Sequence, residues 1–174
     1  MEDLKKHIRN VPNFPKKGIV FRDITTLIGN PEAFKKVIDL MYERYKDKGI
    51  ESVVSVESRG FVFGAVLSYK LGAAMVPVRK KGKLPDKTFS VTYDLEYGTD
   101  TLEIHEDAIK EGNKVLLVDD LLATGGTTEA VIKLLKKLKA DILEVAFLIE
   151  LEFLKGREKI KGYPVFSLIK YDSE

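Results

Sequence analysis

The chain has no cysteine and no tryptophan. Without cysteine there is no disulfide, no thiolate metal site and no cysteine nucleophile, and a reducing compartment suits such a chain. Histidine is almost as scarce. His7 and His105 stand far apart, and no histidine–carboxylate cluster has the spacing of zinc ligands. Both are expected at surface or structural positions. No apolar run is long enough to cross a bilayer. The charged start, Met1-Glu-Asp-Leu-Lys-Lys, does not read as a signal peptide. The expectation is a cytoplasmic protein with no membrane partner. Excess charge of one sign is missing too, with a formal net charge of +2. Lysine is spread along the chain rather than gathered on one face or tail, which argues against nucleic acid as a partner. What remains is an ordinary globular balance, 44% hydrophobic and 32% charged over 174 residues. That length suits one domain, residues 1–174, with a full core.

One run carries most of the chemistry. Val115-Leu-Leu-Val118 is a short apolar stretch that leads into Asp119 and Asp120. Leu121, Leu122 and Ala123 follow, then Thr124-Gly125-Gly126-Thr127-Thr128. From Glu129 to Lys139 the apolar residues recur at helical spacing. The pattern predicts a buried strand, two acids at its end, a loop, and a helix opening near Gly126. Gly125 and Gly126 let backbone N–H groups turn inward with no Cβ in the way. The threonines add hydroxyl donors, and a helix N-terminus favours a dianion. Asp119 and Asp120 are pure acceptors when ionised, which suits a vicinal diol. Ribose 5-phosphate is the simplest ligand that uses both halves. Taken alone, the acids also fit a solvated strand end, and the loop fits a capping turn. The run is neither a Walker loop nor Gly-x-Gly-x-x-Gly, so triphosphate and dinucleotide sites are disfavoured.

Around that run the pattern alternates. A short helix is expected over Asp3 to Asn10 and an irregular arm over Val11 to Asp23. A helix follows over Pro31 to Asp47, then a buried strand over Ser52 to Val56. A helix over Phe61 to Leu71 and a strand over Ala73 to Val78 come next, then a basic loop over Lys80 to Lys87. Phe89 to Tyr93 and Leu102 to His105 read as strands, as do Ile142 to Ile149 and Val165 to Ile169. The alternation predicts an α/β fold with a central, mostly parallel sheet of about five strands flanked by helices. Ligands of such sheets sit beyond the carboxyl ends of the strands. Three candidate clusters fall there, after Val56, Val78 and Val118. Phe14, Phe61, Phe63 and Phe147 are expected in the core.

The first two clusters read as anion sites. Glu57-Ser58-Arg59-Gly60 opens a helix, and Arg59 can take phosphate oxygens in pairs. A capped helix start with a surface arginine is the plain alternative. Arg79, Lys80 and Lys83 suit neutralisation of a pyrophosphate leaving group, whereas Lys81 and Lys87 read as solvated. Gly82 and Pro85 suit a loop that opens and closes.

Val118-Asp-Asp-Leu-Leu-Ala-Thr-Gly-Gly-Thr127 resembles the phosphoribosyl-pyrophosphate (PRPP) motif of the type I phosphoribosyltransferases, in the wording of the adenine-specific branch. Two further segments agree: Pro15-x-x-Gly-Ile-Val-Phe-Arg-Asp23 and Tyr93-Asp-Leu-Glu96-Tyr97-Gly98. Ser58 stands where many relatives have alanine. The resemblance implies purine salvage: adenine plus PRPP gives AMP plus pyrophosphate, with inversion at C1 through an oxocarbenium-like transition state. It implies catalytic roles for Glu96, Asp119 and Asp120, with Glu96 moving the purine proton and Tyr97 helping to position a flexible loop. Ala123, Thr124, Gly125, Gly126 and Thr127 are implied to hold the 5-phosphate. Glu57, Ser58, Arg59, Arg79, Lys80 and Lys83 are implied to hold pyrophosphate. Phe21 is implied to stack on adenine, with Val20 and Arg22 reading its edge through the backbone and Leu151 covering the other face. About residues 1–30 would form a small hood over that pocket. Mg²⁺ is implied, held mainly by PRPP and pyrophosphate rather than by side chains. A homodimer is implied as well. A 6-oxopurine acceptor, or a non-catalytic PRPP sensor, stays open on the residues alone.

Overall fold

The computed structural model describes residues 2–94 and 98–173. Its frame is a seven-stranded sheet in the order β5-β6-β4-β3-β7-β8-β9. Five strands run parallel: β4 (Ala74–Lys80), β3 (Ser52–Val56), β7 (Lys114–Leu122), β8 (Asp141–Leu151) and β9 (Val165–Tyr171). These are the five that alternation predicts. The other two, β5 (Thr88–Asp94) and β6 (Thr99–His105), form a hairpin. It joins the edge of β4 antiparallel, through Arg79 opposite Glu103 and Lys80 opposite Leu102. A hairpin needs no crossover helix to extend a sheet, so strand–helix alternation does not count it.

Successive side chains of a strand point to opposite faces, and both faces here are apolar. Val53, Leu116, Val118, Ala146 and Leu148 enter one cluster. It is shared with α1 (Glu2–Lys5), α2 (Thr25–Ile28), α3 (Pro31–Tyr45) and α4 (Arg59–Leu71). Val54, Val115, Leu117, Val145 and Phe147 enter the other, with α5 (Gly126–Lys137). α3 begins where Asn30 accepts the Ala33 N–H at 3.0 Å and Pro31 occupies the first turn. It buries Val37, Ile38, Met41 and Tyr45, one stripe at helical spacing. α4 ends at Gly72, whose φ of 66° is left-handed.

The N-terminal segment departs from expectation. The helix stops at Lys5, and Arg9–Pro12 (β1) pairs with Val20–Asp23 (β2) in a separate two-stranded sheet. Arg9 and Asp23 meet at 3.1 Å, a long-range partner that local helical spacing does not reveal. Phe14 lies in the turn between these strands and is 52% exposed, its ring edge-on to Phe21 at 5.3 Å. It is therefore not a core residue. Phe63 and Phe147 are fully buried, and Phe61 is half-buried.

α4 lies close to β3 at Gly64. A Cβ there would stand 1.8 Å from Ser55 Oγ and 2.8 Å from Ser55 Cβ. Gly64→Ala is expected to lower unfolding stability by about 2 kcal/mol through overpacking. Ser55→Gly removes both obstructing atoms, so urea unfolding of the double variant should show less than the summed loss. Additive losses would mean that this contact does not set the helix position.

Candidate active site

β3 lies between β4 and β7, with Val56 opposite Val78 and Ser55 opposite Val118. The three predicted clusters thus leave the same edge of the sheet side by side. Glu57, Ser58, Arg59, Lys80, Asp119 and Asp120 line one cavity of about 460 Å³. Ala123, Thr124, Gly125, Gly126 and Thr127 close its other side. The Glu57–Ser58 peptide is cis.

β7 continues past Val118 to Leu122, so both acids lie within the strand rather than after it. Asp119 Oδ1 accepts the Asp120 N–H at 2.8 Å. Burial, and then the neighbouring Asp120 charge, push the Asp119 carboxyl well above the usual carboxylate range. Burial raises Asp120 too, against the pull of Arg59. Arg59 Nε meets Asp120 Oδ2 at 2.6 Å. A Cβ on Gly60 would lie 2.7 Å from Asp119 Oδ1, so glycine at this position leaves room for the acid.

Arg79 and Lys80 are also paired, and of these two Lys80 lines the cavity while Arg79 does not. Arg79 Nε meets Glu57 Oε2 at 3.1 Å, and the Lys80 N–H donates to the same oxygen at 2.7 Å. Lys80 Nζ reaches Asp100 Oδ2 at 3.0 Å, and that hydrogen bond raises the ammonium pKa. Lys83 is exposed and does not line the cavity; its carbonyl accepts from Arg79 Nη1 at 3.3 Å. The basic loop is tied down where the Gly82 N–H donates to Glu103 at 2.9 Å.

The phosphate-type loop ends at Gly125, with φ +82°, and α5 starts at Gly126. The N–H groups of the first helical turn have no intrahelical acceptor, and Gly126, Thr127 and Thr128 border the cavity. Thr127 Oγ1 lies 3.3 Å from the Tyr93 hydroxyl. The loop packs backbone to backbone on the 3₁₀ turn Gly156–Ile160. A Cβ on Gly125 would sit 2.4 Å from Gly156 O, and one on Gly156 would sit 2.2 Å from Ala123 O.

Phe21, Val20 and Arg22 do not line this cavity. Phe21 borders it through Arg59, whose guanidinium lies 5.4 Å from the ring centre. The Arg22 side chain turns elsewhere, to Asn10 Oδ1 at 2.6 Å and over the Tyr171 ring at 4.1 Å. Among the described residues β2 pairs with β1 alone, which leaves one of its backbone edges outside any ladder there. Leu151 ends β8, buried in the apolar cluster that Leu121 and Ala123 join. Glu96 and Tyr97 lie outside the described residues. Asp100 and Gly156 belong to the site's surroundings without standing out in sequence. Nothing local marks them, because each matters through a neighbour distant along the chain.

Two adjacent carboxylates, a glycine turn at a helix start, Arg59 and Lys80 thus border one cavity. A model of the phosphoribosyl transferase domain matches residues 23–172. The chain belongs to that family, the phosphoribosyltransferases. Relatives that it matches over nearly its whole length include adenine phosphoribosyltransferases. That of Clostridium kluyveri is 59% identical, covering 98% of this chain and 99% of the relative. The crystal structure from Thermoanaerobacter pseudethanolicus is 50% identical with a TM-score of 0.94, covering 98% of this chain and 99% of that one. The Saccharomyces cerevisiae enzyme, solved with an imino-altritol bisphosphate and adenine, is 45% identical. Its TM-score is 0.91, covering 96% of this chain and 97% of that one.

Proposed function

We propose that this chain transfers the 5-phosphoribosyl group of PRPP to adenine, giving AMP and pyrophosphate in purine salvage. One observation carries the reading: the adjacent carboxylates Asp119 and Asp120, the Ala123–Thr127 loop, Arg59 and Lys80 line one cavity. The 5-phosphate binds the Ala123–Thr127 loop and the first turn of α5. Asp119 and Asp120 hold the ribose hydroxyls. Arg59, Arg79, Lys80 and Lys83 take the pyrophosphate, with the backbone at Ser58. Glu57 accepts from Arg79 and Lys80, so its part is to aim them.

Charge exchange accompanies binding. Arg59 is bonded to Asp120. When a pyrophosphate oxygen takes Arg59, Asp120 is released to accept from the ribose. The two carboxylates then face the positive charge that develops at C1 as its bond to pyrophosphate loosens. Adenine N9 attacks the opposite face, C1 inverts, and Glu96 takes the purine proton. Phe21 stacks on the base. Val20 and Arg22 read it from the unpaired edge of β2, with Leu151 on the far side. Backbone readout separates 6-amino from 6-oxo purines, because the wrong edge leaves a buried polar group unpaired. Tyr97 steadies the closed loop, which keeps water from PRPP.

Mg²⁺ fits this site as a companion of the substrate. Among the described residues no group of three histidine, cysteine or carboxylate side chains could hold a metal ion by itself. Asp119 and Asp120 would hold it through the ribose hydroxyls they bind. When bound, Mg²⁺ neutralises charge on the diphosphate.

The chain acts as one domain, with about residues 1–30 as the hood, in a cytoplasmic homodimer. Among the described residues no helix is long and apolar enough to cross a membrane. Initial rates with adenine, hypoxanthine, guanine and xanthine, with and without Mg²⁺, test the reading. Adenine should be used far faster than the 6-oxopurines. Equal rates with hypoxanthine, or no pyrophosphate release with any base, would overturn it. Glu96→Gln should lower kcat at least 100-fold with little change in either KM. A change confined to KM would remove Glu96 from proton transfer.

A further inference from the structure

Lys159 lies on the 3₁₀ turn Gly156–Ile160, well past the motif run, and no role has been given to it so far. A Cβ built on Gly126 would lie 3.9 Å from Lys159 Nζ. Gly126 is the first residue of α5. An anion bonded to the backbone of that first turn is therefore within reach of the ammonium. Around the same point stand Asp94 O at 3.6 Å and Tyr93 Cδ2 at 3.8 Å. Three chain segments thus meet at the mouth of the phosphate loop, and Lys159 is the cation among them.

The turn that carries Lys159 is held on three sides. Gly156 touches Ala123 and Gly125 backbone to backbone. Arg157 is bound in fork geometry to Glu150, Nε to Oε1 at 2.6 Å and Nη2 to Oε2 at 2.7 Å. Glu150 is itself buried, and so is Ile160. Position 159 is therefore pinned at its backbone, while its side chain is exposed. Among the described residues Lys159 has no carboxylate partner, unlike Arg59, Arg79 and Lys80. Arg59, Arg79 and Lys80 each give up an internal carboxylate to bind a ligand; Lys159 has none to give up among the described residues.

We propose that Lys159 is a phosphate-binding residue for the 5-phosphate, adding a full positive charge to a subsite that is built, among the described residues, of neutral donors. This rests on the reading of the Ala123–Thr127 loop as the phosphate site. The loop and helix give direction through N–H groups. Lys159 adds a charge that strengthens with the anion's charge and weakens with salt.

Calorimetric titration with AMP and, separately, with inorganic pyrophosphate tests this. In Lys159→Gln the AMP dissociation constant should rise roughly fivefold at low salt, and pyrophosphate binding should stay as it was. KM for PRPP should rise with kcat unchanged. Lys159→Arg should restore most of the loss. Glu158→Gln, an exposed neighbour on the same turn, should leave both ligands unaffected. The difference between wild type and Lys159→Gln should shrink as salt is raised. Equal AMP affinity in wild type and Lys159→Gln would overturn the proposal. So would a parallel loss for AMP and pyrophosphate, or a loss that arginine does not rescue. If wild type itself fails to bind AMP, the reading of the site falls and the proposal falls with it.

Discussion

Asp119→Asn is expected to be more stable than the wild type near neutral pH and to turn over about 100-fold more slowly. The two effects share a cause. Burial and the adjacent Asp120 hold the Asp119 carboxyl well above the usual range. Keeping two carboxylates next to each other in a part-buried strand costs folding free energy whenever both are ionised. Asparagine keeps an oxygen to accept the Asp120 N–H and carries no charge. An unfolded chain ionises this carboxyl near 3.8, and the folded chain holds its proton to higher pH. Between those values the folded state binds more protons than the unfolded one, so stability falls as pH rises. Below 3.8 the wild type suffers no penalty. Above the folded value the penalty is complete. The gap in melting temperature between variant and wild type should therefore be small near pH 4 and widen toward pH 7. The kinetic loss follows because a neutral amide cannot face the charge that develops at C1. A variant less stable at pH 7, or one with unchanged kinetics, would refute the assignment. Asp120→Asn should lose PRPP affinity as well, since it abolishes the exchange with Arg59.

Gly156→Ala is expected to raise KM for PRPP by more than tenfold and to lower stability by about 1–3 kcal/mol. The added Cβ would stand 2.2 Å from Ala123 O and 2.9 Å from Leu122 Cδ1. Leu122 can turn away, but a backbone carbonyl in the phosphate loop cannot move without taking the loop along. A displacement of about 1 Å in a positioning element can cost 100-fold. Gly125→Ala faces the same contact from the other side, 2.4 Å from Gly156 O, and its φ of +82° adds backbone strain. Gly156 isolates the packing term, because it is not among the positive-φ glycines. Binding of pyrophosphate alone should be nearly unchanged, since Arg59 opens α4 and Lys80 ends β4, away from the Gly156 turn. Equal losses for pyrophosphate and PRPP would point to general unfolding instead.

Much of the site was legible in the chain because its parts are local. Strand, acids, glycine turn and helix follow one another from Val115 to Lys137, and their order alone describes ribose 5-phosphate. The cations Arg59 and Arg79 stand out because each follows shortly after a predicted strand, those ending at Val56 and Val78. The hairpin β5–β6 was read as strands but not counted in the sheet. The prolines and glycine around Phe14 mark an irregular arm, but that its ring stands exposed follows only from the pairing of β1 with β2. Arg22 lay inside a recognised motif, yet its side chain is engaged by Tyr171 and Asn10.

By itself the sequence determined the fold class, the strand–acids–glycine turn–helix order of the central run and the family. These depend on period, residue type and order, which are properties of neighbours along the chain. Only the tertiary structure decided which charges are already paired with one another, that Asp100 holds Lys80, and that Gly156 and Lys159 stand against the phosphate loop. Those contacts span tens of residues. They depend on how β3, β4, β7 and the turn after β8 are laid side by side, which no local pattern encodes.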